Sequence, residues 1–153
     1  MLQRLRQIEL SAIPGWIGSK VAVASRYQHS LGVGELSLLV SGEDAEEMLL
    51  LTAAAALHDV GVGPFPHLSD QAMRGILGFS HEGAVEFAFE NSPLKDSEAL
   101  ENYGLSLAEV ASIIGGKHRL SRFLHGFPDL DNADNIYRFI ISIPGRPLGE
   151  PSY

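Results

Sequence analysis

From Met48 to Leu57 the chain is apolar at every position but Thr52, and four residues later it reads Gly61-Val-Gly-Pro-Phe-Pro66. Ten residues are too few to cross a bilayer, so the run reads as a buried helix. Proline cannot continue a helix and glycine can take positive φ, so the segment after it is a hard stop. Glu43, Asp44, Glu46 and Glu47 precede the run, where the positive end of a helix favours carboxylates, and the helix is expected to last until about Asp59. Helical signals recur along the chain. Leu2, Leu5 and Ile8 follow one-turn spacing until Ile13-Pro-Gly-Trp16 interrupts them. A helix from about Tyr27 carries Leu31, Leu38 and Val40. Ser80 can cap one carrying Val85, Phe87 and Phe89, and Ser106-Leu-Ala-Glu109 is a capping-box pattern ahead of Val110, Ile113 and Ile114. A last helix should span Ala133 to Ile141, before Pro144 and a Gly/Pro tail. Only Lys20 to Ala24 hints at a strand. The expected fold is all-α: a compact helical bundle in one domain over residues 1–153, with its core at about 2–141 and a tail at 142–153.

A chain of 153 residues can bury about two-thirds of its unfolded surface, so it needs no disulfides to hold a core. Hydrophobic residues at 45% and charged ones at 20% are a globular composition. The start, Met1-Leu-Gln-Arg-Leu-Arg6, lacks the apolar block of a signal peptide, and the absence of cysteine fits a cytoplasmic protein without membrane contact. No cysteine also means no thiol catalysis, zinc-thiolate site or iron–sulfur cluster. Eleven Lys and Arg against nineteen Asp and Glu give a net charge of -8, which argues against nucleic acid as a partner. A small phosphorylated ligand remains compatible, because one Arg or a bound metal can reverse the field inside a pocket.

Six histidines in so acidic a chain suggest metal chemistry. His29 lies on the second helix, His58-Asp59 close the third, and Asp131 opens the last. Adjacent helical residues project about 100° apart, so His58 and Asp59 can both reach one ion only at a helix end tilted towards it. Two imidazoles and two carboxylates form a mixed N/O set suited to Mn, Fe, Zn or Mg. Each residue also has a plainer reading. A His-Asp pair arises often by chance, and Asp129, Asp131 and Asp134 fit a solvated helix N-terminus.

The ordered set Arg26-Tyr-Gln-His29-Ser-Leu-Gly-Val-Gly34, Leu57-His58-Asp59-Val-Gly-Val-Gly-Pro-Phe-Pro-His67, His81-Glu82 and Asp129-Leu-Asp131 resembles the HD-domain metal-dependent phosphohydrolases. It is most similar to their deoxynucleoside triphosphate triphosphohydrolase branch, whose signature reads His-Asp-x-Gly-His-Gly-Pro-Phe-x-His. The resemblance runs from residue 2 to about 141. It implies His29, His58, Asp59 and Asp131 as ligands of a divalent ion, with Mn, Fe, Mg, Zn and Ni not distinguished. It implies His67 as the first choice of proton donor to the leaving oxygen and His81 as the second, with Asp70 orienting a histidine. Arg26, Asn132 and Asn135 fall at positions that contact substrate. The implied partner is a small phosphorylated molecule, a nucleotide or related ester, and homo-oligomers are compatible with the branch.

Departures from the pattern bear on substrate. Val62 stands where the signature has its second histidine, and the branch's Lys, Tyr and later Asp are Asn132, Asn135 and Phe139 here. Its early Gln-Leu pair is Leu10-Ser11. Asparagine donates hydrogen bonds but carries no charge, so outer phosphates should lose more binding energy than the one nearest the metal. Monophosphates are therefore expected to be favoured over triphosphates, and the rival reading is a catalytically degraded module that binds metal or nucleotide for regulation or assembly. Elsewhere, Gly115-Gly-Lys117 reads as a helix stop, and His118 and His125 among Arg119 and Arg122 as a solvated loop. Trp16, Phe87 and Phe89 read as core aromatics.

Overall fold

Asp44 starts the long apolar helix by accepting hydrogen bonds from the backbone N–H of Glu46 and Glu47 at 3.0 and 3.2 Å. In the computed structural model that helix is one of eight among the described residues, 2–10, 24–40, 42, 44–64, 66–91 and 97–142, with backbone alone for 66–68, 97 and 142. They are α1 (Arg26–Val40), α2 (Ala45–Leu57), α3 (Pro66–Leu77), α4 (Val85–Glu90), α5 (Ser97–Glu101), α6 (Leu107–Ile114), α7 (Arg122–His125) and α8 (Leu130–Ser142). Short 3-10 helices cover Leu2–Gln7 and Arg119–Ser121. No strand occurs among the described residues, only an isolated antiparallel bridge between Glu9 and Ser25. The all-α expectation is met. Trp16, Ser11 and most of the weak strand signal at Lys20 to Ala24 lie outside the described residues, as does the tail beyond Ser142.

Helix α1 packs between α2 and α8, and α2 packs on α6. Leu50, Leu51, Ala54 and Ala55 of α2 meet Val33 of α1 and Val110, Ile113 and Ile114 of α6 in one continuous core. Their small and branched side chains let three helices approach closely. Leu2, Leu5 and Ile8, spaced by three, match the period of a 3-10 helix rather than an α-helix; Leu5 is fully buried, and Leu2 packs against this core. No described helix is long and apolar enough to cross a membrane.

Several local signals resolve differently. Pro66 occupies the first position of α3, where its missing N–H costs nothing, so the residue read as a stop also begins a helix. Ser80 does not cap α4: its hydroxyl turns to Glu82, and the helix starts at Val85 behind Ala84. Ser106 holds the cap position of α6 in extended conformation but makes no capping bond with its side chain. Residues two apart on a helix point about 200° apart, so short α4 can bury only one of its two phenylalanines. Phe89 is buried and Phe87 is 62% exposed. The His118 stretch is not a solvated loop. His118 caps the second 3-10 helix, its Nδ1 accepting from Leu120 N–H at 3.2 Å, and His125 Nε2 lies 2.7 Å from the carbonyl oxygen of Ile114. The glycine stop does form, with Gly115 closing α6 and Gly116 at φ +77. Helix α8 opens at Leu130, three residues before the expected Ala133, because Asp129 accepts from the N–H of Asn132 at 2.7 Å.

Candidate functional site

Three elements meet where α1, the end of α2 and the start of α8 converge. His29 is fully buried in α1, His58 is the C-cap of α2, and Asp131 lies in the first turn of α8. His58 keeps helical angles, φ -57 and ψ -33, and Asp59 follows in a turn closed by its carbonyl on Val62 N–H at 2.9 Å. The two successive side chains part here: His58 joins a group of ligand atoms, and the Asp59 carboxylate turns to Arg26. Ligand atoms of His29, His58 and Asp131 all lie within 4.8 Å of one another. The two imidazoles meet edge to face, their centroids 5.2 Å apart.

The ring nitrogens divide the same way in both histidines. His29 Nδ1 is 2.6 Å from Asp134 Oδ2, and His58 Nδ1 is 2.7 Å from the carbonyl oxygen of Ala55. A carboxylate or carbonyl can only accept, so each Nδ1 carries the proton and each Nε2 presents its lone pair in the neutral ring. Both Nε2 atoms are buried and without a hydrogen-bond partner. His29 Nε2 lies 2.9 Å from Asp131 Oδ1, a contact that is favourable only when a proton or a cation stands between the two. Such atoms are costly unless something fills their coordination. A metal ion fits them: both nitrogens have the tautomer that ligation needs, each is fixed by its other nitrogen, and a carboxylate stands beside them. Burial acts to lower the pKa of His29, but the nearby carboxylates of Asp131, Asp134 and Asp59 outweigh it and raise it to about 9. Burial acts to raise the pKa of Asp131, and His29, His58 and Arg26 together more than offset that and lower it. The centre therefore draws positive charge to His29.

A cavity of about 320 Å³ opens beside this centre, lined by Leu10, Arg26, Asp59, Val62, Asp70, His81, Glu82, Asp131 and Asn135. Its far wall is a second cluster. Asp70 Oδ1 accepts from His81 N–H at 2.9 Å and lies 2.9 Å from His81 Nδ1, while Oδ2 accepts from Arg74 Nε at 2.8 Å. Burial acts to raise the Asp70 pKa, but Arg74 and His81 hold it well below the usual carboxylate range. A Cβ at Gly61 would overlap the carbonyl oxygen of His81, so this position needs glycine for the His81 turn to pack against the residues following α2. Asp70, His81 and Glu82 also have ligand atoms within 4.8 Å of one another, but Arg74 already sits on both carboxylates.

Of the residues singled out from sequence, Arg26, His29, His58, Asp59, Asp70, His81, Asp131 and Asn135 come together around this cavity and centre. The Asp59 carboxylate is held by Arg26 NH1 at 2.8 and 2.7 Å, and its Oδ2 is 3.6 Å from His58 Nε2. Asn135 donates to Asp131 Oδ1 at 2.8 Å and so orients it. Asn132 is not on the cavity wall; it is exposed and binds Asp129 through its side chain at 3.0 Å. His67 lies at the second position of α3, and its side chain is outside the described residues. Asp134 was overlooked as a functional residue. It lies three residues after Asp131 on the same helical face, and that spacing was the available signal.

The HD-domain family model matches residues 26–136, which span α1 to α8 and every element of this centre. The chain belongs to the HD-domain family. This HD domain is 27% identical over 136 residues to an uncharacterized protein of Methanocaldococcus jannaschii, covering 89% of this chain and 27% of that one. It is 34% identical over 106 residues to a deoxynucleoside triphosphate triphosphohydrolase of Gallus gallus, covering 59% and 17%. Its fold matches the crystal structure of a phosphohydrolase from Bacteroides thetaiotaomicron with a TM-score of 0.63 at 24% identity, over 92% of this chain and 35% of that one. The HD domain thus spans about a third or less of each relative's length.

Proposed function

We propose that this HD domain is a metal-dependent phosphohydrolase, with His29, His58, Asp59 and Asp131 holding a divalent ion. The observation that carries the reading is the pair of buried, unpartnered Nε2 atoms gathered with Asp131 within 4.8 Å. The donor set is compatible with Mn, Fe, Mg, Zn or Ni. A divalent ion bound there supplies Lewis acidity towards a phosphoryl oxygen and the attacking water. The phosphohydrolases among the relatives support the same chemistry.

The chain's own residues divide the remaining work. Arg26, at the cavity wall, holds Asp59 and offers its charge to a phosphate oxygen. Asn135 fixes the Asp131 carboxylate. His81, held through Nδ1 by Asp70, can donate a proton to the leaving oxygen, the role that His67 shares in the sequence pattern. The substrate in this reading carries one phosphate, as in a nucleoside monophosphate or small phosphomonoester. Among the described residues Arg26 is the one Lys or Arg on the wall, against the carboxylates of Asp59, Asp70, Glu82 and Asp131. Each further phosphate adds negative charge where that wall repels it.

Metal analysis of the purified protein comes first, followed by hydrolysis assays with matched nucleoside mono-, di- and triphosphates in excess metal. Uptake of about one ion and a higher kcat/KM for the monophosphate are expected. A preference for the triphosphate would overturn the substrate reading and leave the hydrolase standing. Val62 in the cavity wall favours a second reading, a module that binds metal or nucleotide without turnover. Ion uptake with no hydrolysis of any phosphate ester would select it.

A further inference from the structure

We propose that Asp134 is a positioning residue: it fixes the ring of His29 so that Nε2 is presented to the ion. The inference rests on the reading of His29 as a ligand. Asp134 is 3% exposed, and its Oδ2 lies 2.6 Å from His29 Nδ1, across 105 residues of sequence. It stands on the Nδ1 side of the ring and is not among the gathered ligand atoms of His29, His58 and Asp131. Arg138 Nε donates to Oδ2 at 2.5 Å and Arg138 NH2 to Oδ1 at 3.2 Å. Arg138 is in turn anchored on the carbonyl oxygen of Gln28, one residue before His29, at 2.5 Å. Carboxylate, guanidinium and backbone thus form a closed clamp between α8 and α1. Gly32, one turn after His29, is shaped to it. A Cβ there would overlap Asp134 Oδ1, so the carboxylate reaches the imidazole only because the residue is glycine.

The clamp does two things that a plain buried ion pair between helices would not. It keeps the proton on Nδ1, leaving the lone pair on Nε2, and it places a negative charge behind the ring, which strengthens the nitrogen as a donor. Asp134→Asn preserves shape but not this charge. Arg138 Nε and His29 Nδ1 both face the Oδ2 position, so the amide oxygen settles there and keeps the proton on Nδ1, while the negative charge behind the ring is lost.

The test measures dissociation constants for Zn²⁺ and Co²⁺ by chelator competition, and the visible absorption of the Co²⁺ form. It uses the wild-type chain, Asp134→Asn and Gly32→Ala, which moves the same carboxylate without removing a polar group. Both variants should bind about 10- to 100-fold more weakly, with altered Co²⁺ bands. Asp134→Asn should melt close to wild type in the presence of chelator. Wild-type affinity and unchanged bands in Asp134→Asn would overturn the proposal, as would an affinity loss matched by loss of helical structure in chelator. A wild-type chain that takes up no ion would overturn the ligand reading and this inference together.

Discussion

The two clusters at the cavity use the same residue types and treat them in opposite ways. In the His29–His58–Asp131 cluster, which reaches the cavity through Asp131, the imidazoles are buried, each is held at one nitrogen, and the other faces the gathered ligand atoms. At the Asp70–His81–Glu82 wall the residues are half-buried and pair with Arg74, Ser80 and one another. The first arrangement gathers ring nitrogens and a carboxylate around one place that a cation fits. The second is complete without one and keeps a histidine near water, where it can exchange a proton. Cluster composition alone does not separate a metal centre from an acid–base pair; the hydrogen-bond partners do.

The largest effect that tests this contrast is Asp131→Ala. It should abolish ion uptake and hydrolysis together, with metal content falling from about one ion per chain to near zero, because a carboxylate ligand cannot be replaced by a methyl group. His81→Ala should keep the ion and slow turnover about 100- to 10,000-fold, as loss of a general acid does. If His67→Ala shows that loss and His81→Ala does not, the proton donor is His67. Should His81→Ala instead strip the metal, the two clusters are one centre and the contrast fails.

Gly61→Ala comes next. The added methyl meets the His81 carbonyl, and overpacking of this kind costs about 1–3 kcal/mol. Thermal denaturation should show a lower midpoint and hydrolysis should slow, while metal content stays at the wild-type value. The smallest effect is that of pH on Asp70. Its pKa is lower in the folded chain than in the unfolded one, so its contribution to stability is present above the unfolded value of about 4 and is lost as pH falls below it. The stability difference between wild type and Asp70→Asn, followed by chemical denaturation, should therefore be largest near neutrality and shrink on acidification. A difference that does not vary with pH would mean that the Arg74 and His81 contacts contribute little.

Much of the fold was legible because its signals are local. A carboxylate ahead of an apolar run, as at Asp44, stabilises a helix start wherever the segment ends up, and paired glycines after α6 stop a helix by backbone geometry alone. Errors arose where one residue type serves two local ends. Pro66 stops one helix and starts another, and Ser80 satisfies its hydroxyl on Glu82 instead of a helix end. Phe87 and Phe89 look alike as residues and differ only in which side of α4 faces α6.

The sequence by itself determined the chemical inventory of this HD domain. It fixed six histidines, no cysteine, the His58-Asp59 pair at the end of an apolar helix, and a row of helices broken by glycine and proline. These follow from covalent identity and short-range backbone preference. Tertiary structure decided which atoms are left without partners. Pairing His29 Nδ1 with Asp134 needs α1 and α8 in contact across Gly32, and pairing Asp59 with Arg26 needs two segments 33 residues apart. Packing turned Asn132 onto Asp129 and Asn135 onto Asp131, although both are asparagines on one helix. Hydrogen-bond satisfaction is a property of buried groups in three dimensions, and the site consists of the groups that packing left unsatisfied.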